Sequence, residues 1–427
     1  MKILWLINIP LPEASIIMKQ QPSPYGGWLV NSSKMLSEQE GIELSIAFPN
    51  HGEKCFVKLK GEKVNYYSFK PVLDYDYKRM EFDQILQEII NDSKPDIVHI
   101  YGTELAHTMA MINICRQKQI KAVISIQGLV SIIEKHITAS LPFKAIYGFT
   151  LRNLLRNDNV RGLKSLYSKR GKKEIQAIRL ADHIIGRTTW DKACVSQINP
   201  KAQYYHNYET LREEFYHHEW NIENCNKHSI FISQAQNPLK GLHFILEAMP
   251  LILNRYPDTK LFISGKNFTK SDTIKDKLYL TYYGKYIKKM IKNYKLEDHI
   301  EFVGMLDEKQ MCKKFLQSNV YISASTIENE SNSLSEAKML GLPCIASYVG
   351  GVVDRINHNE DGFTYQHDAP YMLAYYVCQF FSDQSLTLQL SHKARENALK
   401  VHNKQQNINT LLDIYKRIVE QEDYDEQ

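Results

Sequence analysis

At 427 residues the chain is longer than one ordinary core can fill, so two or three domains are expected. Its 43% hydrophobic and 24% charged content excludes a disordered chain, and a net charge of +5 is too small by itself to call for nucleic acid. No run of about eighteen apolar residues is present to span a membrane. The seven cysteines (Cys55, Cys115, Cys194, Cys225, Cys312, Cys344, Cys378) are scattered, odd in number and never in C-x-x-C spacing. That pattern points to a reducing cytosol and away from a disulfide frame or a zinc site.

Residues 3–9 (ILWLINI) form a compact apolar run with no small-residue cleavage site after it, which reads as a first strand and not a signal peptide. After a long loop, Gly26 and Gly27 open the helix patterned by Leu29, Met35 and Leu36. A glycine pair at a helix start either brings backbone close to a phosphate or simply turns the chain. Strand patterns follow at 43–48 and 64–69, a helix at about 82–91, a buried strand at 96–101 (DIVHIY), a helix at 105–117, and a strand at 122–126 (AVISI) ending at Gln127 and Gly128. Alternation of this kind specifies a parallel sheet covered on both faces. His99, His107 and His136, beside these strands, read as ordinary hydrogen-bonded residues.

Between 141 and 180 ten lysines and arginines face only Asp158 and Glu174, a local charge of +8 interleaved with Phe143, Ile146, Tyr147 and Leu154. Such a segment is either a surface for anionic lipid headgroups or a solvated helix that packs its apolar face on the domain. No base-reading module accompanies it, so nucleic acid is not expected. The strand 183–188 (HIIGRT), a helix at 190–198 and the strand 203–206 complete the first alternation. Arg187 leaves a strand end, where its planar guanidinium can grip a phosphate with two parallel bonds or form an ion pair. From 207 to 227 the chain is polar and unpatterned, as a linker is.

A second alternation begins with the strand 229–233, the loop QAQNPLKG and a helix at 241–254, with Lys240 just ahead of that helix. Strands at 260–264, 300–303 and 320–324, helices at about 285–293 and 308–317, and a helical tail from about 369 to 420 continue it. In the stretch 320–351 the strand is followed by a polar turn carrying Glu328. Ser331, Asn332 and Ser333 are each able to cap the helix whose face is Leu334, Ala337 and Leu340. Gly341 stops that helix, Pro343 opens the strand 344–347, and Gly350 and Gly351 close it. Glu328 and Glu336 thus stand over the carboxyl end of a buried strand, where open α/β sheets bind ligands. Free N–H groups at a helix start suit a phosphate, and carboxylates suit the hydroxyls of a sugar. Together they call for a nucleotide-sugar.

Glu328 and Glu336, with Ala337, Gly341, Pro343 and the pair Gly350 and Gly351, resemble the E-x7-E signature of the retaining GT-B glycosyltransferases of family 4, in the form carried by bacterial surface-polysaccharide transferases of capsule or lipopolysaccharide type. The resemblance implies that Glu328 contacts the donor sugar and Glu336 the ribose, that Gly26 and Gly27 face the donor phosphates, and that Leu306, in the loop Gly304-Met305-Leu306, contacts the base. Lys240 and Gly241 match the end of the family's G-R-x(4)-K-G loop, whose Arg and Lys bind the diphosphate. Two positions depart from the family pattern. Gln127 stands where many members have an acceptor-side histidine, and an amide takes no proton at neutral pH. Ala235 stands at the Arg position, so one cation is missing near a leaving diphosphate unless Arg187 or another residue replaces it.

The expected fold is therefore α/β of the GT-B type: two Rossmann-like domains, 1–207 on the acceptor side and 228–400 for the nucleotide-sugar, facing across a cleft, with 401–427 packing back on the first. The expected function is transfer of a sugar, a UDP-sugar being favoured, to a hydroxyl of a lipid-linked or growing surface polysaccharide, with Glu328 and Lys240 as catalytic groups. The alternatives are a nucleotide-sugar 2-epimerase of the same fold and an idle GT-B scaffold protein. No cofactor or metal is expected, since the D-x-D spacings at Asp74 and Asp76 and at Asp423 and Asp425 do not end buried strands. The expected location is cytoplasmic, with peripheral attachment to the membrane through 141–180.

Overall fold

The computed structural model describes residues 1–420 apart from 24–25, 52–55, 72–78, 139, 149 and 157. It divides into two compact units. The first takes Met1–Ser131, Lys169–Arg212 and His402–Gln427, and the second takes Ile132–Ser168 and Glu213–Val401.

Among the described residues, the first unit is built on an eight-stranded sheet. Its strands are β1 (Lys2–Leu6), β2 (Glu43–Pro49), β3 (Phe56–Lys60), β4 (Val64–Phe69), β5 (Ile97–Tyr101), β6 (Lys121–Ser125), β7 (His183–Gly186) and β8 (Gln203–His206). They lie in the order β3-β4-β2-β1-β5-β6-β7-β8, and every neighbouring pair is parallel except β3 with β4. The sequences explain the placement. KILWL, IVHIY and KAVIS are near-continuous apolar runs, as central strands covered on both faces require. β3, FVKLK, exposes Lys58 and Lys60, and such lysines protect an edge from further pairing.

The second unit carries six parallel strands: β9 (Ser229–Ile232), β10 (Lys260–Ser264), β11 (Ile300–Gly304), β12 (Val320–Ser323), β13 (Cys344–Ser347) and β14 (Phe363–Tyr365). Their order is β11-β10-β9-β12-β13-β14. Each sheet is doubly wound and reverses direction once, between β1 and β5 in the first unit and between β9 and β12 in the second. Ligands of such sheets bind beyond the carboxyl ends of the strands at that reversal.

The first unit's core is closed by a segment from the far end of the chain. The helix Lys404–Glu420 buries Ile408, Leu411, Tyr415 and Ile418, spaced three to four residues apart on one face, and the last three lie in one cluster with Trp5, Ile46 and Ile97. Inside that core Trp5 Nε1 donates to the Tyr415 hydroxyl at 2.9 Å, the same hydroxyl meets His99 Nδ1 at 2.5 Å, and His99 Nε2 meets Ser125 Oγ at 2.6 Å. The basic stretch 141–180 is three helices, Phe143–Tyr147, Leu151–Arg156 and Val160–Leu180, not one. Among the described residues no helix is long and apolar enough to cross a membrane.

Burial disfavours the imidazolium form of His99 and holds its pKa down to about 3, against about 6.5 in an unfolded chain. Between those values the unfolded state binds a proton that the folded state does not. The stability His99 contributes is therefore present above about pH 6.5 and is lost as the pH falls toward about 3. His243, buried in the second unit and lowered to about 4 by the same cause, acts in the same direction. Thermal unfolding followed from about pH 7 to about pH 5 should fall less steeply for His99→Gln than for the unchanged chain; parallel curves would show that another group carries the acid sensitivity.

Candidate functional site

The second unit's site grows from the ends of β9 and β12. After β9, Asn237 accepts from the Leu239 N–H at 3.1 Å and caps the single turn Pro238–Lys240. Gly241, at φ +69°, then caps the helix Leu242–Leu253. A Cβ at Gly241 would lie 1.8 Å from the Ala324 carbonyl oxygen, so only glycine lets the two loops come together here. The contact is continued by the Thr326 N–H, which donates to the Leu239 carbonyl at 2.8 Å. Ser331 caps the helix Asn332–Leu340 and Gly341, at φ +80°, ends it.

This meeting of loops brings Lys240 and Glu328 together. Lys240 Nζ donates to Glu328 Oε2 at 2.6 Å, and Ser325 Oγ donates to the same oxygen at 3.1 Å. The Glu328 backbone is fixed as tightly: its carbonyl accepts from the Gly351 N–H at 2.9 Å, and a Cβ at Gly350 would lie 2.1 Å from that oxygen. Two residues on, Glu330 is paired with Arg355 at 2.7 Å, both side chains almost wholly buried. Ser331, Asn332 and Ser333 are half-buried at the helix start, while Glu336 is buried on the helix with 3% of its surface exposed. Further along the same helix, buried Lys338 pairs with Asp361 at 2.8 Å. Leu306 follows β11, two strands away from β9 in the sheet, and is half-buried; no described contact joins it to Lys240 or Glu328. Ala235 is buried.

In the first unit, Gly26 at φ +75° caps the helix Gly27–Ser37. A Cβ would lie 2.4 Å from Ile9 Cδ1 at Gly26, where the left-handed φ also favours glycine, and 2.5 Å from Arg212 Cγ at Gly27, where the arginine side chain would have to move. Arg187 is 4% exposed, and its Nη1 pairs with Glu209 Oε2 at 2.5 Å. Its Nη2 donates to the Ile126 carbonyl at 3.1 Å, and Gln127 Nε2 donates to Glu209 Oε1 at 3.0 Å. Gln127, Arg187 and Glu209 therefore form one polar group at the carboxyl ends of β6 and β7. Sequence reading missed Glu209, Glu330 and Arg355. Glu209 sits in the stretch read as linker, and nothing in the spacing of Glu330 and Arg355 announces that they meet.

Asp74, Asp76, Asp423 and Asp425 lie outside the described residues. Among the described residues no three or more His, Cys, Asp and Glu side chains converge as a metal would need.

Two doubly wound units of this kind are the GT-B architecture, and solved structures share it over the whole chain. A sucrose-phosphate synthase from Thermosynechococcus elongatus matches with a TM-score of 0.68 at 14% identity, covering 98% of this chain and 99% of that one. The Anabaena protein HepE, solved in complex with UDP-glucose, matches with a TM-score of 0.65 at 14% identity, covering 98% and 100%. At such identity the likeness establishes the fold. Residues 213–401, which carry Lys240, Glu328 and Glu336, match the family Glycosyl transferases group 1. The N-acetyl-alpha-D-glucosaminyl L-malate synthase of Bacillus anthracis is 28% identical over 111 residues, 26% of this chain and 29% of that protein. The chain spans less than half the length of the curated relatives it matches.

The glycine contacts make a graded prediction. Gly241→Ala and Gly350→Ala force backbone apart as well as straining φ. A methyl group at Gly304, where φ is +81°, would meet nothing within 4 Å and carries only the φ penalty of about 1–2 kcal/mol. Thermal unfolding should place Gly304→Ala well above the other two. Equal midpoints for all three would mean that the close approach of the loops is not what holds them.

Proposed function

We propose that the protein is a retaining glycosyltransferase that moves a sugar from a nucleotide-sugar, a UDP-sugar being favoured, to a hydroxyl of a lipid-linked or growing surface polysaccharide. The observation that carries this reading is the meeting of Lys240 and Glu328 beyond the carboxyl ends of β9 and β12, beside the start of the helix Asn332–Leu340. The family match over 213–401 and the fold shared with a protein solved with UDP-glucose support it.

The chemistry follows from the charges. In the free protein Lys240 is neutralised by Glu328. An incoming diphosphate offers Lys240 a more highly charged partner, and once Lys240 turns to it, Glu328 is left to accept hydrogen bonds from sugar hydroxyls. Glu336 accepts from the ribose hydroxyls, and Leu306 lies against the base. In the transfer step the bond from the anomeric carbon to the phosphate oxygen breaks as the acceptor oxygen bonds to that carbon from the same face. The acceptor's proton passes to the departing diphosphate. Its growing negative charge is met by Lys240 and by the N–H groups at 331–333. No metal is assigned a part.

Arg187 is held by Glu209, so we assign it to shaping the ground around Gln127 on the acceptor side and leave the diphosphate to Lys240. For a membrane surface at 141–180 the support is charge alone. Lys144, Arg156, Arg161 and Lys169 are exposed, while Arg152 is paired with Asp158 at 2.6 Å.

Calorimetric titration with UDP, GDP, ADP and CMP tests the donor site. One nucleotide should bind, and Glu336→Ala should weaken it. Lys240→Ala should weaken it by about tenfold or more, the loss of a charge-assisted contact of about 1.5–3 kcal/mol. Glu328→Ala should bind the nucleotide but turn over slowly, and turnover should survive EDTA. Binding and turnover unchanged in all three variants would refute the assignment.

A further inference from the structure

The second unit contains a groove of about 1190 Å³, larger than the 300–1,000 Å³ typical of small-molecule sites, that the donor chemistry does not use. One wall is the helix Tyr282–Asn293. It buries Tyr283, Ile287 and Met290 and turns Lys285, Lys288, Lys289 and Lys292 outward. Lys144 and Lys270 add to the lining from other elements. Among the described residues none of these six lysines has an ion-pair partner; Lys288 Nζ donates to Ser271 Oγ at 2.5 Å, and Lys285 lies 5.9 Å from the Tyr282 ring centre. Three carboxylates, Glu247, Asp272 and Glu297, share the lining, leaving it positive.

At the rim, Phe143 is 73% exposed and Tyr147 48% exposed, and the two rings stack with centres 4.3 Å apart. Two stacked aromatic rings held in water beside a groove lined with polar groups offer flat apolar faces to a ligand that has rings of its own. The groove thus combines unpaired cations, acceptors for hydroxyl groups, and flat ring faces. A flat bilayer surface would meet protruding side chains in a plane. A concave channel with both charge signs fits a chain that carries acid groups, hydroxyls and ring faces in repeat.

We propose that this groove binds an acidic glycan chain, its carboxylate or phosphate groups on the lysines and a sugar ring on Phe143, and that the chain is the acceptor polymer. The acceptor role rests on the transferase reading; the occupancy of the groove does not.

The test is binding of hyaluronate octasaccharide and of a glycerol-phosphate oligomer by the full chain at low salt. Maltooctaose serves as the neutral control, octaglutamate as the charged control without sugar rings, and vesicles of equal phosphatidylglycerol and phosphatidylcholine as the membrane control. At least one acidic oligomer should bind about tenfold more tightly than either soluble control. The triple variant Lys288→Gln, Lys289→Gln, Lys292→Gln should lose about tenfold and much of the salt dependence. Phe143→Ala should lose about threefold, and UDP binding should be unchanged in both. All four positions are exposed, and unchanged UDP binding reports that the variants are folded. The proposal fails if neither acidic oligomer binds, if octaglutamate binds as well as they do, or if vesicles bind through these lysines and the oligomers do not compete. If the unchanged chain binds an acidic oligomer but not UDP, the donor site falls and the groove stands; if it binds UDP but neither acidic oligomer, the groove alone falls.

Discussion

Two carbonyl oxygens, those of Ala324 and Glu328, occupy the space that side chains at Gly241 and Gly350 would fill. This steric constraint fixes the second unit's candidate site. The loops after β9, β12 and β13 can touch only because both positions are glycine, and their touching sets Lys240 opposite Glu328. A methyl group at either position would move backbone, and the distance between ammonium and carboxylate would move with it. The chemistry proposed for that pair depends on two residues that carry no chemistry.

Charges taken out of water do a related job. Glu330 with Arg355 and Lys338 with Asp361 are almost wholly buried on either side of Glu336. Burial pulls the Lys338 pKa down, and the nearby Asp361 carboxylate works against that pull. Replacing such pairs with apolar residues is often neutral for stability, whereas breaking one partner is not. Their effect is to permit one arrangement of the 328–338 segment, because any other leaves a charge buried and alone. In the first unit Arg187 with Glu209 is buried in the same manner, which ties the ends of β6 and β7 to residues 207–212, a segment without regular structure.

Strand runs such as DIVHIY and AVISI were legible because central parallel strands must be apolar on both faces, and the two α/β alternations follow from them. β3 was not legible: FVKLK is short, half-exposed and antiparallel, and lysines that suit an edge look like loop. β14, three residues long, is too brief for any period to show. At the site, Glu328, Glu336, Lys240, the caps at 331–333 and the glycines were visible because helix starts and tight turns need particular residue types. Glu209, Arg355 and the groove lysines were not. Their roles arise from contacts between segments far apart in the chain, and a count of charge over 141–180 drew attention to one bank of the groove while Lys285, Lys288, Lys289 and Lys292 stood on the other.

The bond from Trp5 to Tyr415 joins residues 410 positions apart. During synthesis the first unit's strands leave the ribosome well before the helix Lys404–Glu420 that covers Trp5, Ile46 and Ile97. Until then an apolar face of that sheet stays open to water and to other nascent chains. The second unit, apart from 132–168, is one continuous stretch and has all its residues before that helix is made. The first unit therefore gains the last element of its core only after every residue of the second has been made, and its exposure in the meantime is an aggregation hazard that a chaperone would relieve.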